Sequence, residues 1–262
     1  MKRIGILYLC TGPYVVFWKD FFESFEKNFM PNTEKHYYVF SDSLDIYAAD
    51  ECNRVHTYNL QAQPWPLVTL LRFNTFLSIK EDLKNNDYLM FSNANIVCDA
   101  KVVEGEILPK DNQGLFFTMH PGYLDAKPKN MPFERRRNST AYVSYKEGKK
   151  YVIGAFFGGK TKDFLEMSEE LHEHICKDLK NNIIALWHDE SHINWYIHNH
   201  SNYRLISSSY CYPWGLKADY EKKISAVSKI DKFDVNGFKG VDMYEKKASI
   251  VKRFMDYIMI RR

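Results

Sequence analysis

The stretch "YLMFSNANIVCD", residues 88–99, decides how this chain is read. "YLMF" is a β-rich apolar run, and it ends on two asparagines spaced one apart, Asn93 and Asn95. A short apolar run bounded by turn formers reads as a buried strand, with Ser-Asn-Ala-Asn as its stop. Upstream, "RIGILYL" (3–9) is another such run, ending at "CTGPY", where Gly12 and Pro13 make a turn. Between the two lie "FWKDFFESFEKNF", the strand "HYYVFSD" (36–42) and a long helical segment from about Leu67 to about Leu83. Phe17, Phe21, Phe25 and Phe29 recur at four-residue steps, as on one face of an amphipathic helix. Alternating strands and helices predict an α/β fold, a single mixed, mostly parallel sheet flanked by helices. Ligands of such sheets bind outside the carboxyl ends of the strands. "CTGPY" and "SNAN" are therefore expected to face one cleft.

The second half is less regular. "LFFTMHPGY" (115–123) reads as a strand entering a loop, and "PFERRRNSTAY" (132–142) as a basic loop. "YVIGAFFGGKTKDF" (151–164) reads as a strand broken by glycines before a helix. "IIALWHDESHINWYIHNH" (183–200) leads into another helix, for which Asp189 is the expected N-cap. With no repeat and no low-complexity linker, residues 1–262 read as one domain, 216–262 forming its C-terminal segment. The tail "ASIVKRFMDYIMIRR" (248–262) sets Val251, Phe254 and Ile258 among Lys252, Arg253, Arg261 and Arg262. It fits an amphipathic helix at an anionic membrane surface, and equally a terminal helix packed on the domain with a solvated basic face.

Composition narrows the function classes. Of 262 residues, 45% are hydrophobic and 26% charged, which supports a substantial core and excludes wholesale disorder. A net charge of +3 gives no argument for a nucleic-acid partner. The aromatic share of 16% leaves rings for flat ligands such as bases or sugars. Cys10, Cys52, Cys98, Cys176 and Cys211 are odd in number and lack a CxxC pair, which argues against a disulfide framework or cysteine zinc site. A reducing cytoplasm is the expected compartment. "MKRIGILYLC" has too short an apolar run for a signal peptide, and nothing approaches the roughly 20 apolar residues of a transmembrane helix.

Several constellations could carry chemistry. "WHDESH" (187–192) crowds two carboxylates and two imidazoles at a helix start. His188 and His192 have the i, i+4 spacing that can share a metal, but the zinc-protease motif needs Glu directly after the first His, where this chain has Asp189. A carboxylate pair acting on a sugar needs no metal, and Asp189 with Glu190 fits that use better. The glycine pair in "AFFGGK" (155–160) marks a turn, a bulge or a close ligand approach. Arg135, Arg136 and Arg137 suit phosphate or structural ion pairs equally. Asparagines are weak ligands for Mg²⁺ or Mn²⁺, which take at least one carboxylate in most sites.

Together, "YYVFSD", "SNAN", "TMHPGY", "FERRRNSTAY", "IGAFFGG" and "WHDESHIN" occur in the order found in glycosyltransferase family 6. This family contains the histo-blood-group A and B transferases and the vertebrate α-1,3-galactosyltransferases, and the resemblance covers roughly residues 4–215. It implies a GT-A fold and retaining α-1,3 transfer of galactose or N-acetylgalactosamine from a UDP-sugar. The implied acceptor is the galactose of an oligosaccharide or lipid-linked glycan, fucosylated at its 2-position. "SNAN" stands where the metal-dependent relatives carry Asp-x-Asp, so metal-independent transfer is implied, with no divalent cofactor. Positive side chains then offset the charge growing on the departing UDP. Arg72 matches a family arginine, and Lys229 and Lys232 lie where the family's C-terminal segment closes over UDP.

By the same resemblance, Cys10, Thr11 and Tyr14 correspond to uracil and ribose contacts, and Asn93, Ala94 and Asn95 to the former metal position. Ile153, Gly154 and Ala155 correspond to the donor-discriminating stretch, with Ala155 favouring galactose. His188 and Asp189 resemble donor-sugar contacts, and His120 and Trp187 acceptor contacts. Glu190, also at the acceptor, matches the family's proposed nucleophile or oxocarbenium stabiliser. Pro132 stands where relatives often have an acceptor-contacting threonine. Two other readings compete: a non-catalytic sugar-nucleotide or glycan-binding protein that has lost its aspartates, and a zinc hydrolase using His188 and His192. The cytoplasm is the expected setting of the transferase, with the basic tail either at the inner membrane or packed on the domain.

Overall fold

The protein is represented by a computed structural model, which describes residues 2–213 and 215–238. Along the chain run β1 (Arg3–Leu9), α1 (Trp18–Asn28), β2 (Glu34–Ser41), β3 (Val55–Asn59), α2 (Leu67–Leu70), α3 (Arg72–Leu77), α4 (Lys80–Leu83) and β4 (Tyr88–Ser92). There follow β5 (Ile96–Cys98), α5 (Glu104–Ile107), β6 (Leu115–Met119), β7 (Val152–Lys160), α6 (Thr161–Lys180) and α7 (Asp189–Asn199). The last elements are β8 (Tyr203–Ile206), β9 (Tyr212–Pro213), β10 (Ile224–Ala226) and α8 (Val235–Phe238).

The main sheet has seven strands in the order β3-β2-β1-β4-β7-β6-β8. Its first four strands are mutually parallel, β7 runs antiparallel to both β4 and β6, and β8 is parallel to β6. Alternation along β1 sends Ile4, Ile6 and Tyr8 to one face, where they meet Phe17, Phe21, Phe25 and Phe29. Leu7 points to the other face, against Phe73, Phe76, Phe91, Phe157 and Phe164. All four α1-side phenylalanines are buried, and each contributes about 1.5–3 kcal/mol of hydrophobic stabilisation. Phe21 and Phe25 stack at 4.1 Å between ring centroids.

A small second sheet, β5-β10-β9, fastens the chain after Asn95 to the C-terminal part. β10 pairs antiparallel with β5, placing Ala226 opposite Ile96 and Ile224 opposite Cys98. All five cysteines are free thiols. Among the described residues no helix is long and apolar enough to cross a membrane.

The structure corrects three local expectations. The long helix over 67–83 is instead three short helices, with breaks at Leu71 (φ −92°, ψ 10°) and Ile79 (φ −119°, ψ 27°). Hydroxyls in this segment bond backward to the main chain, Thr69 Oγ1 to the Pro66 carbonyl at 2.8 Å and Ser78 Oγ to that of Thr75 at 2.7 Å. Such bonds compete with the helical ladder and bend it. β7 is unbroken through its glycines: a side chain at Gly158 would collide with Leu89 and Met90, so glycine here permits close strand packing. Asp189 is the first residue of α7 rather than its N-cap; His188 takes the cap position, with φ 52° and no side-chain cap bond. The basic tail 248–262 lies outside the described residues.

Candidate active site

The carboxyl ends of β1 and β4 lie side by side, Tyr8 opposite Ser92, as the sequence leads one to expect. Their loops are joined by the Tyr8 hydroxyl, which donates to the Ala94 carbonyl at 2.8 Å. After β1, Cys10 and Thr11 are buried. The Cys10 N–H donates to the Phe40 carbonyl at 2.9 Å, and the Gly12 N–H to Asp42 Oδ1 at 2.7 Å. Burial pushes the Cys10 thiol up to about 12, so it is a neutral wall residue.

Tyr14 meets the C-terminal segment. Phe233 packs edge-on against its ring at 5.1 Å, and Lys229 Nζ lies 5.1 Å from its centroid, a cation–π distance. Lys232 is placed differently, 3.5 Å from Asp20 on the outer surface of α1. The segment is held down by Asn95, whose Nδ2 donates to the Val227 carbonyl at 2.7 Å while the Val227 N–H donates to the Asn95 carbonyl at 2.8 Å. One asparagine therefore clasps the C-terminal strap instead of facing the cleft.

The next link runs to β7. The Asn93 N–H donates to the Ala155 carbonyl at 2.9 Å, bringing "SNAN" against Ile153-Gly154-Ala155. Gly154 is the hub of the site. Its carbonyl accepts from Arg72 Nη1 at 2.6 Å, and its N–H donates to Glu190 Oε2 at 2.8 Å. A methyl at Gly154 would sit 3.2 Å from Glu190 Cβ and 3.5 Å from Asp189 Oδ2, so glycine lets α7 approach the strand. Asn194, four residues after Glu190 on the same helix face, locks that approach by exchanging bonds with the Val152 N–H and carbonyl, both at 2.9 Å.

The charged groups are unusual for their depth. Arg72 Nη1 stands 3.1 Å from Asp189 Oδ2, both side chains nearly wholly buried, in an ion pair whose angle makes no hydrogen bond. The guanidinium also lies over the Phe91 ring at 4.2 Å. Burial pushes the Asp189 carboxyl up to about 6, outweighing Arg72. Glu190 is raised to about 7, again by burial, with partial offset from the Gly154 N–H and from the Tyr151 hydroxyl that donates to Oε1 at 2.9 Å. Two adjacent acids thus sit near neutrality, a pattern found where carboxylates do chemistry.

His120, at the end of β6, accepts from the Gly122 N–H at 3.0 Å through Nδ1, and burial lowers it to about 4. It is therefore neutral, with its proton on Nε2. Trp187 is exposed beside the helix start, and the His188 ring meets Trp65 edge-on at 4.9 Å. The positive φ of His188 is a strained backbone for a non-glycine residue. Its loop is braced by Glu134, which accepts from the Leu186 N–H at 2.8 Å, and by Arg136, which donates to the Ile184 carbonyl. Arg135 donates to the carbonyls of Pro128 and Val143, so two of the three loop arginines are structural braces.

His192 does not join His188. It is fully buried, with Nε2 3.9 Å from Asp178, and burial lowers it to about 4. Among the described residues no group of three or more His, Cys, Asp or Glu side chains is arranged to hold a metal ion. Sequence reading had missed Tyr151, Asn194, Asp42 and Glu134; of these only Asn194 carries a legible signal, its i+4 spacing from Glu190.

A mixed sheet with its parallel half opening on one cleft, and an acid pair where the antiparallel strand meets a helix start, is the arrangement of a GT-A glycosyltransferase. The chain belongs to glycosyltransferase family 6, whose profile matches residues 2–235. It is 39% identical to the O-antigen biosynthesis glycosyltransferase WbnI of Escherichia coli over 80% of this chain and 88% of that protein. It is 31% identical to the rat histo-blood group ABO system transferase 2, over 79% of this chain and 62% of the relative. To the chicken globoside alpha-1,3-N-acetylgalactosaminyltransferase 1 it is 29% identical, over 79% and 61%. The chain thus spans about three fifths of the length of these vertebrate relatives.

Proposed function

We propose that this protein transfers galactose, or less efficiently N-acetylgalactosamine, from a UDP-sugar to the galactose of a 2-fucosylated glycan. The new linkage is α-1,3, the donor's configuration is retained, and no divalent metal takes part. The observation that carries the reading is Glu190, a carboxylate gripped at both oxygens and poised near neutrality beside the 153–155 stretch. In this reading Asp189 and His188 hold the donor sugar, and Tyr14, Thr11 and the Cys10 backbone take the uridine. Glu190 faces the anomeric carbon, either attacking it or stabilising the oxocarbenium-like state while the acceptor enters on the leaving-group face. His120, with Nε2–H free to donate, and Trp187 receive the acceptor.

Metal independence is supported by the use made of the asparagines. Asn95 spends its side-chain N–H₂ on Val227, which secures the strap carrying Lys229 beside Tyr14. A fixed ammonium near the uridine end then supplies positive charge for the departing diphosphate. Ala155 is nearly buried, and its methyl narrows the space an acetamido group would need, which favours galactose. The relationship to an O-antigen enzyme supports a surface glycan or its lipid-linked precursor as acceptor, with the protein in the cytoplasm and its basic tail at the inner membrane.

The test is transfer from UDP-galactose and from UDP-N-acetylgalactosamine to 2'-fucosyllactose, in EDTA and then with Mn²⁺, with the product's anomeric configuration read by NMR. EDTA-insensitive formation of an α-linked product, faster with galactose, is expected. Turnover only with Mn²⁺ would overturn the metal-free reading, a β-linked product the retaining one. UDP binding without transfer to any fucosylated acceptor would favour a binding role.

A further inference from the structure

We infer that Tyr151 is a positioning residue for Glu190, fixing the carboxylate's orientation and tying it to the His120 loop. This rests on the proposed role of Glu190. Tyr151 precedes β7 and is buried, its ring boxed by Tyr123 at 5.2 Å, Phe133 at 5.3 Å and His120 at 5.8 Å. Its carbonyl accepts from the His120 N–H at 3.0 Å, so the main chain is pinned as firmly as the ring. The hydroxyl donates to Glu190 Oε1 at 2.9 Å. Walls on three sides prevent that hydroxyl from swinging away.

Consider what each grip on Glu190 does. The Gly154 N–H belongs to the sheet and holds Oε2 whatever side chain stands at 151. One hydrogen bond leaves the carboxylate free to rotate about it; the second, from Tyr151, fixes the plane. A nucleophile or oxocarbenium stabiliser gains from that fixation, because misplacement by an ångström loses orders of magnitude in rate. The same contact favours the ionised acid. The other groups bearing on Glu190 are Asp189 on its own helix, Arg72 from α3 and the Cys211 thiol between β8 and β9. Arg72 is engaged by Asp189 and the Gly154 carbonyl, and burial holds Cys211 up at about 12. Tyr151 is therefore the side-chain donor that Glu190 relies on. Because its ring also forms one wall of the His120 loop, an acceptor seated at His120 presses on the residue that aims the carboxylate.

The experiment compares wild type with Tyr151→Phe, measuring kcat/KM for transfer against pH, with kcat and donor KM separated at pH 8.5. Removing a hydrogen bond to a charged group raises the acidic midpoint by about 1 pH unit. Transfer at pH 6.5 should fall about sixfold more than at pH 8.5, with kcat falling and donor KM little changed. Site-specific 3-fluorotyrosine at 151, a stronger donor of nearly the same shape, should move the midpoint to lower pH. A purely structural tyrosine would give the same fractional loss at every pH and no response to fluorination, and either result overturns the assignment. If wild type itself transfers neither sugar, the proposed function fails. If wild type transfers and neither variant moves the acidic limb, only the role of Tyr151 fails.

Discussion

Replacing Glu190 by glutamine should destroy turnover and at the same time stabilise the fold, because the acid is held in a place that disfavours its charge. Its pKa rises from 4.5 when free to about 7 in the folded protein, mainly through burial. A carboxyl raised on folding adds stability that is fully present below pH 4.5 and is lost as pH climbs through about 7. That gap, at about 1.36 kcal/mol per pH unit, sets a ceiling of ~3 kcal/mol on what ionised Glu190 takes from stability at alkaline pH. Glu190 is only part-buried, so water recovers some of it, and ~1–2 kcal/mol is the expected size. Glutamine can keep both contacts: its carbonyl accepts from the Gly154 N–H, and its N–H₂ donates to the Tyr151 oxygen. For a chain of this size that corresponds to a melting temperature about 2–8 °C higher at pH 8.5. Thermal melts from pH 4.5 to 8.5 are the assay, with the advantage of Glu190→Gln growing across that range. An advantage equal at all pH values, or a variant less stable than wild type at pH 8.5, would mean that burial does not disfavour the Glu190 charge.

Three further outcomes follow from the same geometry. Arg72→Met leaves Asp189 buried without its counter-charge and should lose about 3 kcal/mol at pH 8. That deficit should shrink toward pH 5 as Asp189, already raised to about 6, takes up a proton; chemical denaturation at the two pH values checks it. Ala155→Gly removes a nearly buried methyl and should raise the N-acetylgalactosamine to galactose rate ratio by about tenfold, as competing-donor assays would show. Asn95→Asp sets a carboxylate against the Val227 carbonyl in place of a donor, and should weaken UDP binding about tenfold in EDTA by calorimetry, instead of converting the protein to a metal enzyme.

Much of the frame was legible because it depends on short-range periodicity. Four phenylalanines at helical spacing and the run in residues 3–9 located α1 and β1, and the two loops of small and polar residues located one cleft. β3, "VHTYN", escaped because only Val55 is buried; His56 to Asn59 are half-buried or exposed, and it is pairing with β2 that makes them a strand. The glycines of β7 mislead for a related reason, since their meaning lies in the strands on either side, which no local window contains. Tyr151 was invisible too: one tyrosine among 18 has no signature until the fold carries it to Glu190, 39 residues away. Glu190 stood out beside Asp189 in the crowded "WHDESH", and the family resemblance separated its role from its neighbour's.

The asparagine pair links β7 to the C-terminal strap. Two aspartates at the end of β4 would suit a cation that bridges them to phosphate. Exchanging charge for amide changes what the loop can hold. Asn95 both accepts and donates along one edge, and it uses that edge to seat the strap at Val227. The strap then carries Lys229 and Phe233 to Tyr14, which under the proposed function sets a covalently attached cation near the nucleotide. The spacing is retained because the loop still has to place Asn93 on Ala155 and Ala94 on Tyr8, contacts made by the backbone and indifferent to the side-chain charge.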